Sequence, residues 1–128
     1  MSLPVVGHWI DGKEYVSKSG RTAEVFDPAL GEVTKHVALA NQDEIKLAIE
    51  SAAKAFPAWR DMSQARKQAI LFKFRELLNE RKQECAALIT EEHGKVLDDA
   101  LGEVTRGQEV VEFACGMPHL LKGMFTEN

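Results

Sequence analysis

The chain has 128 residues, a mass of 14.2 kDa and a net charge of −4, from 16 Lys and Arg against 20 Asp and Glu. This balance offers no basic surface for nucleic acid, and the apolar runs are too short to cross a membrane. The N-terminal residues lack the charged start and apolar region of a signal peptide. We therefore expect a cytoplasmic protein that binds neither nucleic acid nor membrane.

The first forty residues predict two β-hairpins. In the first, Asp11-Gly12 separates two short β-prone runs, a pattern typical of a type I′ turn. In the second, residues 27–31 separate two longer runs, where Pro28 presets φ and Gly31 can adopt a positive φ. Because a two-stranded ribbon buries little surface, we expect both hairpins to pack on another part of the protein.

The pattern becomes helical at Asn41. Asn41 is a favourable N-cap, and Glu44 three residues later completes a variant of the capping box. Pro57 is expected to end or kink this first helix in its last turn. The helix carries one apolar stripe at steps of three and four residues, formed by Ile45, Ile49, Ala52, Phe56 and Trp59.

Three further helices are predicted after the first. They are expected from Ser63, around residues 84–92, and from about Val96 to Cys115. Gly94 suits the position just after the second of these helices, because glycine readily takes the left-handed conformation found there.

The chain as a whole is predicted to be mostly α with N-terminal β-hairpins. The hairpins occupy residues 1–40 and a four-helix segment occupies residues 41–118, stopped by Gly116 and Pro118. Residues 119–128 predict no stable element and are interpreted as a tail leading to an absent region. We interpret these parts as one incomplete domain.

Several segments resemble the aldehyde dehydrogenase superfamily. Leu30 stands where the turn of the family's second hairpin usually has threonine, a small departure. Residues 100–107 and 110–123 resemble the CoA-acylating branch, the methylmalonate-semialdehyde dehydrogenases, and a sister semialdehyde dehydrogenase is the alternative. The segments similar to the superfamily's first hairpins, first helices and a helix end are residues 9–13, 26–33, 52–59, 66–78 and 92–95.

The resemblance implies the N-terminal portion of an α/β aldehyde dehydrogenase fold, without its Rossmann core. In such an enzyme a cysteine thiolate attacks a malonate or methylmalonate semialdehyde, NAD accepts the hydride and CoA takes the acyl group. The catalytic cysteine, the NAD site and the CoA region would all lie beyond this chain. We therefore expect no catalytic residue, bound cofactor or activity in the chain alone. The parent enzyme is implied to be a homo-oligomer.

Arg106 is the candidate substrate-binding residue. It lies between Gly102 and Gly107, and each glycine costs a helix interior about 1 kcal/mol relative to alanine, which suggests room for a ligand. A guanidinium can bind a carboxylate through two parallel hydrogen bonds, and the resemblance places an arginine for the substrate carboxylate here. The structural alternative is an exposed ion pair with Glu103 or Glu109.

The other candidate residues are interpreted as structural. Cys85 and Cys115 follow apolar helical positions and lack an adjacent His or Lys that would activate a thiol. Two cysteines are also too few for a disulfide framework, and no metal site is expected from the spacing of the four histidines. Val110 and Phe113 lie on a similar face to Arg106 and line either a substrate channel or the core.

A second hypothesis is a non-catalytic helical interaction module. The apolar helix faces are wide for a bundle covered only by two hairpins, so apolar surface would stay exposed. Exposed apolar surface would lead the isolated chain to self-associate. The two hypotheses differ in the downstream coding sequence, which continues into a nucleotide-binding repeat only under the first.

Overall fold

A computed structural model describes residues 2–124. The strands come first, and the helices follow from Gln42, as the sequence predicts. The strands are β1 (Val5–Val6), β2 (His8–Ile10), β3 (Lys13–Tyr15), β4 (Thr22–Asp27) and β5 (Glu32–Ala38). The helices are α1 (Gln42–Asp61), α2 (Gln64–Glu80), α3 (Lys82–His93), α4 (Leu97–Cys115) and α5 (Met117–Leu120).

The first predicted hairpin is confirmed. β2 pairs antiparallel with β3, and Trp9 lies opposite Glu14. The turn residues Asp11 and Gly12 have φ values of 55° and 72°, the two positive values that a type I′ turn requires. The local sequence therefore determines this turn.

The second predicted hairpin is confirmed and gains a strand that the sequence did not predict. β4 pairs antiparallel with β5, and the Asp27 carboxylate accepts the N–H of Ala29 in the turn at 2.8 Å. Gly31 closes the turn with a φ of 71°. β1 pairs parallel with β5, so the sheet has the order β1-β5-β4. This pairing joins residues about thirty positions apart, which no local pattern indicates.

The helix boundaries agree with the prediction except at two places. Of the two alternatives predicted for Pro57, an end of the helix is wrong, because α1 continues to Asp61, and a kink stays a prediction. The predicted tail begins in a short helix, α5, and its residues 125–128 lie outside the described residues. Arg81 separates α2 from α3, and Gly94 follows α3 with a φ of 77°.

The chain divides into two compact units. The first unit comprises the chain up to Arg60 together with Glu91–Gly94, and the second comprises Asp61–Thr90 together with the chain from Lys95. α1 therefore lies in the same compact unit as the strands. Within residues 2–124, no helix is long and apolar enough to cross a membrane.

The second unit has a small apolar core. Ala86 and Ala100 are fully buried and Val104 is almost so, and half-buried side chains of Leu78, Ile89 and others surround them. Large apolar side chains remain outside the core. The predicted stripe on α1 is exposed, with Ile49 at 63% and Phe56 at 57%. On α1, apolar periodicity thus identified the helix but not the buried residues.

Candidate functional site

A buried carboxylate caps the first turn of α1. Glu44 is 3% exposed, and its oxygens accept the N–H of Lys18 at 2.6 Å and the N–H of Asn41 at 2.9 Å. In return, the Glu44 N–H donates to Asn41 Oδ1 at 2.9 Å, which confirms the predicted capping box. The Ser17 hydroxyl is a third donor, 2.9 Å from Oε2.

These donors determine the ionisation of Glu44. The backbone N–H of Asn41, followed by that of Lys18, holds the pKa of Glu44 below its usual value, because both hydrogen bonds favour the charged form. Since the carboxylate oxygens already have protein donors, Glu44 joins the loop at Ser17 to α1. We interpret it as structural.

Arg106 lies on an exposed face of α4, in the second unit. Its side chain turns back along the helix, so that Nη1 lies 3.5 Å from the position that a Cβ at Gly102 would occupy. Among residues 2–124, Arg106 forms no hydrogen bond or ion pair, and Glu103 accepts instead from Lys95 Nζ. The ion pair considered as the structural alternative for Arg106 is therefore not formed. The guanidinium is available to a ligand.

The face around Arg106 is apolar toward the C-terminal end of α4. Val110 and Phe113 follow at steps of four and three residues and are 69% and 70% exposed. They are therefore not core residues of the described chain, which was one of the two interpretations of their spacing. Together, Arg106, Val110 and Phe113 present one cation beside an apolar strip; we call this surface the α4 face.

The opposite side of α4 contacts α2 through polar groups. Glu112 Oε1 accepts from Arg75 Nε at 2.8 Å and from Gln108 Nε2 at 3.0 Å. The Gln108 amide, followed by the Arg75 guanidinium, lowers the pKa of Glu112. Sequence reasoning missed this network. Only the four-residue spacing of Gln108 and Glu112 was visible, since Arg75 lies 37 residues away.

The cysteines lie where apolar periodicity placed them. Cys115 is buried at the end of α4 and Cys85 is half-buried beside the core of the second unit. The Cys115 carbonyl accepts the amide of Gln68 at 2.7 Å. In the described part of the chain, no group of three His, Cys, Asp or Glu is arranged to hold a metal ion.

The α4 face has the chemistry of a binding surface. A guanidinium without a protein partner can hold an anion, and exposed apolar side chains beside it can contact the carbon skeleton of a small ligand. Neither cysteine belongs to this face. The arrangement therefore defines a candidate site for a small anionic ligand rather than a centre for covalent chemistry.

Comparison with known proteins shows the family to which the chain belongs. Residues 15–128 match the model of the aldehyde dehydrogenase family, and the chain belongs to this family. A malonate-semialdehyde dehydrogenase of Pseudomonas aeruginosa is 45% identical over 121 residues, which are 94% of this chain and 24% of that protein. A mouse protein named as an acylating, mitochondrial methylmalonate-semialdehyde/malonate-semialdehyde dehydrogenase is 43% identical, over 95% and 23% of the two chains.

Solved structures agree with this assignment. A methylmalonate-semialdehyde dehydrogenase from Oceanimonas doudoroffii matches with a TM-score of 0.93 and 43% identity, over 98% of this chain and 26% of the other. A Sinorhizobium meliloti chain described by the same enzyme name, and solved with NAD, gives a TM-score of 0.93 at 44% identity. The predicted fold class is confirmed. This chain spans about a quarter of the length of these relatives.

Proposed function

We propose that this chain contributes the carboxylate-binding part of an NAD-dependent, CoA-acylating malonate or methylmalonate semialdehyde dehydrogenase. The observation that carries the proposal is the exposed Arg106 guanidinium on the α4 face, free of protein partners among the described residues. The identities of 43–45% to dehydrogenases named for these two semialdehydes support the choice of substrate class.

Arg106 distinguishes this substrate class from simple aldehydes. Malonate and methylmalonate semialdehydes carry a carboxylate, which a planar guanidinium can bind through two parallel hydrogen bonds. Val110 and Phe113 would contact the carbon chain between the carboxylate and the aldehyde. This chain would therefore bind and orient the substrate while the aldehyde carbon reacts with groups outside it.

The reaction itself needs groups that we assign to other parts of the enzyme. When bound, NAD accepts the hydride of the semialdehyde, and CoA is the co-substrate that receives the acyl group. We assign no catalytic or cofactor-binding residue to this chain. We expect the isolated 128-residue chain to be inactive, and the complete enzyme to be a cytoplasmic homo-oligomer.

Steady-state kinetics of the complete enzyme test the role of Arg106. Arg106→Ala should raise KM for malonate semialdehyde roughly 10- to 100-fold, because a hydrogen bond to a charged group is worth about 1.5–3 kcal/mol. Propanal has the same number of carbons, with a methyl group in place of the carboxylate, and its KM should stay unchanged. Arg106→Lys, which keeps the charge and loses the planar fork, should be intermediate. Equal effects of Arg106→Ala on both aldehydes would contradict the proposal.

A non-catalytic interaction module is the second candidate function. The apolar stripe on α1, including Ile49 and Phe56, is exposed and could bind a partner or a second copy of the chain. The intact mass of the expressed gene product separates the two candidates. A mass near 14.2 kDa favours the module, whereas a mass roughly four times larger, matching the 24% coverage of a relative, favours the dehydrogenase.

A further inference from the structure

The two halves of α4 are held in different ways. The buried residues in its N-terminal half are Ala100 and Val104, which belong to the apolar core of the second unit. In its C-terminal half the buried residues are Gln108 and Cys115. The apolar cluster around Ala100 and Val104 therefore does not extend to Gln108.

Polar contacts with α2 continue where the core stops. Arg75 Nε donates to Glu112 Oε1 at 2.8 Å, Arg75 Nη2 forms an ion pair with the same oxygen at 2.7 Å, and Gln108 also donates to it. Further along, Gln68 donates to the Cys115 carbonyl at 2.7 Å. These directional bonds act together with the burial of Gln108 and Cys115 to fix the rotation of this half of the helix about its axis.

This rotation decides where Arg106 points. Successive helical residues are separated by about 100°, so Gln108 lies about 200° from Arg106, nearly opposite to it. Gly102 and Gly107 flank Arg106 and add no side-chain packing of their own, because glycine has no Cβ. If the C-terminal half of α4 rotated about its axis, the Arg106 guanidinium and the apolar strip would consequently change direction together.

We propose that Arg75 and Glu112 are positioning residues, which set substrate specificity by holding Arg106 toward the substrate carboxylate. This inference rests on the proposed function. Neither residue touches the ligand. Their effect is expected only on substrates that Arg106 recognises, which separates positioning from a general loss of structure.

A double-mutant cycle in the complete enzyme tests this coupling. Arg75→Met should raise KM for malonate semialdehyde roughly two- to tenfold and leave KM for propanal unchanged, in line with usual coupling energies between contacting groups. Combined with Arg106→Ala, it should add nothing further, because there is no longer a guanidinium to position. Glu112→Gln, which keeps an acceptor oxygen for Arg75, should restore most of the wild-type KM compared with Glu112→Ala.

The possible outcomes separate the two proposals. If Arg106→Ala has no selective effect, the proposed function fails; if Arg106→Ala is selective and Arg75→Met is not, only the positioning role fails. The positioning role is also overturned if the effects of Arg75→Met and Arg106→Ala on KM are fully additive. It is overturned as well if Arg75→Met raises KM for propanal as much as KM for malonate semialdehyde. If Arg75→Met does not fold, Arg75→Lys replaces it in the cycle, with the same selective rise expected and an unchanged KM overturning the proposal.

Discussion

The two units of the chain are stabilised by different interactions. In the first unit a buried carboxylate, Glu44, accepts hydrogen bonds from Ser17, Lys18 and Asn41, and β4 pairs with β5. In the second unit the centre is apolar and made of small side chains, Ala86 and Ala100 with Val104. The first unit should therefore respond to changes of charge and capping, and the second to changes of volume.

The largest expected effect is in the apolar core of the second unit. Ala86 is fully buried, so Ala86→Leu must insert a larger side chain among helices already in contact, which should cost about 1–3 kcal/mol. The adjacent Ala87 is exposed, and Ala87→Leu should change the free energy of unfolding by less than about 0.5 kcal/mol. Urea unfolding followed by circular dichroism compares the two variants, and equal losses would show that Ala86 is not in a packed core.

A smaller effect is expected at the helix caps. Asn41 Oδ1 accepts the N–H of Glu44, so Asn41→Ala should lower the free energy of unfolding by about 1 kcal/mol. Ser63 precedes α2 but makes no side-chain capping bond among the described residues, and Ser63→Ala should cost clearly less. Thermal unfolding of the two variants compares the cap at Asn41, in the first unit, with Ser63, in the second. A greater loss of stability from Ser63→Ala than from Asn41→Ala would contradict the prediction.

The last expected effect is confined to acid solution. Because the pKa of Glu44 is lowered from 4.5 in the folded state, its stabilisation is complete above that pH and is lost as the pH falls through the lowered value. Glu44→Gln has no charge to lose, so its stability should vary less with pH over this range. Glu50→Gln changes an exposed carboxylate on the same helix and is the control.

Urea unfolding from neutral to acid pH supplies this measurement. The difference in free energy of unfolding between wild type and Glu44→Gln should shrink as the pH falls, and the same difference measured for Glu50→Gln is the reference. Parallel curves for wild type and Glu44→Gln would mean that Glu44 is not held by its backbone donors as described.

Much of the fold could be predicted because it depends on neighbouring residues. The type I′ turn at Asp11 and Gly12, the capping box at Asn41 and the left-handed Gly94 each involve groups within a few positions of one another. The family was also predicted from short segments, such as residues 9–13 and 26–33, and the family match over residues 15–128 confirms it. The candidate Arg106 was visible for the same reason, through its flanking glycines and the resemblance.

The tertiary structure decided the features that join distant residues. The parallel pairing of β1 with β5 and the contact of Arg75 with Glu112 both depend on how remote segments meet. Burial also depends on how remote segments meet. Ala86 and Ala100 lie in the core whereas Phe56 is exposed, although hydrophobicity alone favours burial of the larger side chain. The sequence by itself thus determined turns, caps and family through short-range chemistry. Which side chains are buried and which way Arg106 points depended on three-dimensional packing, because these properties belong to pairs of segments and not to either segment alone.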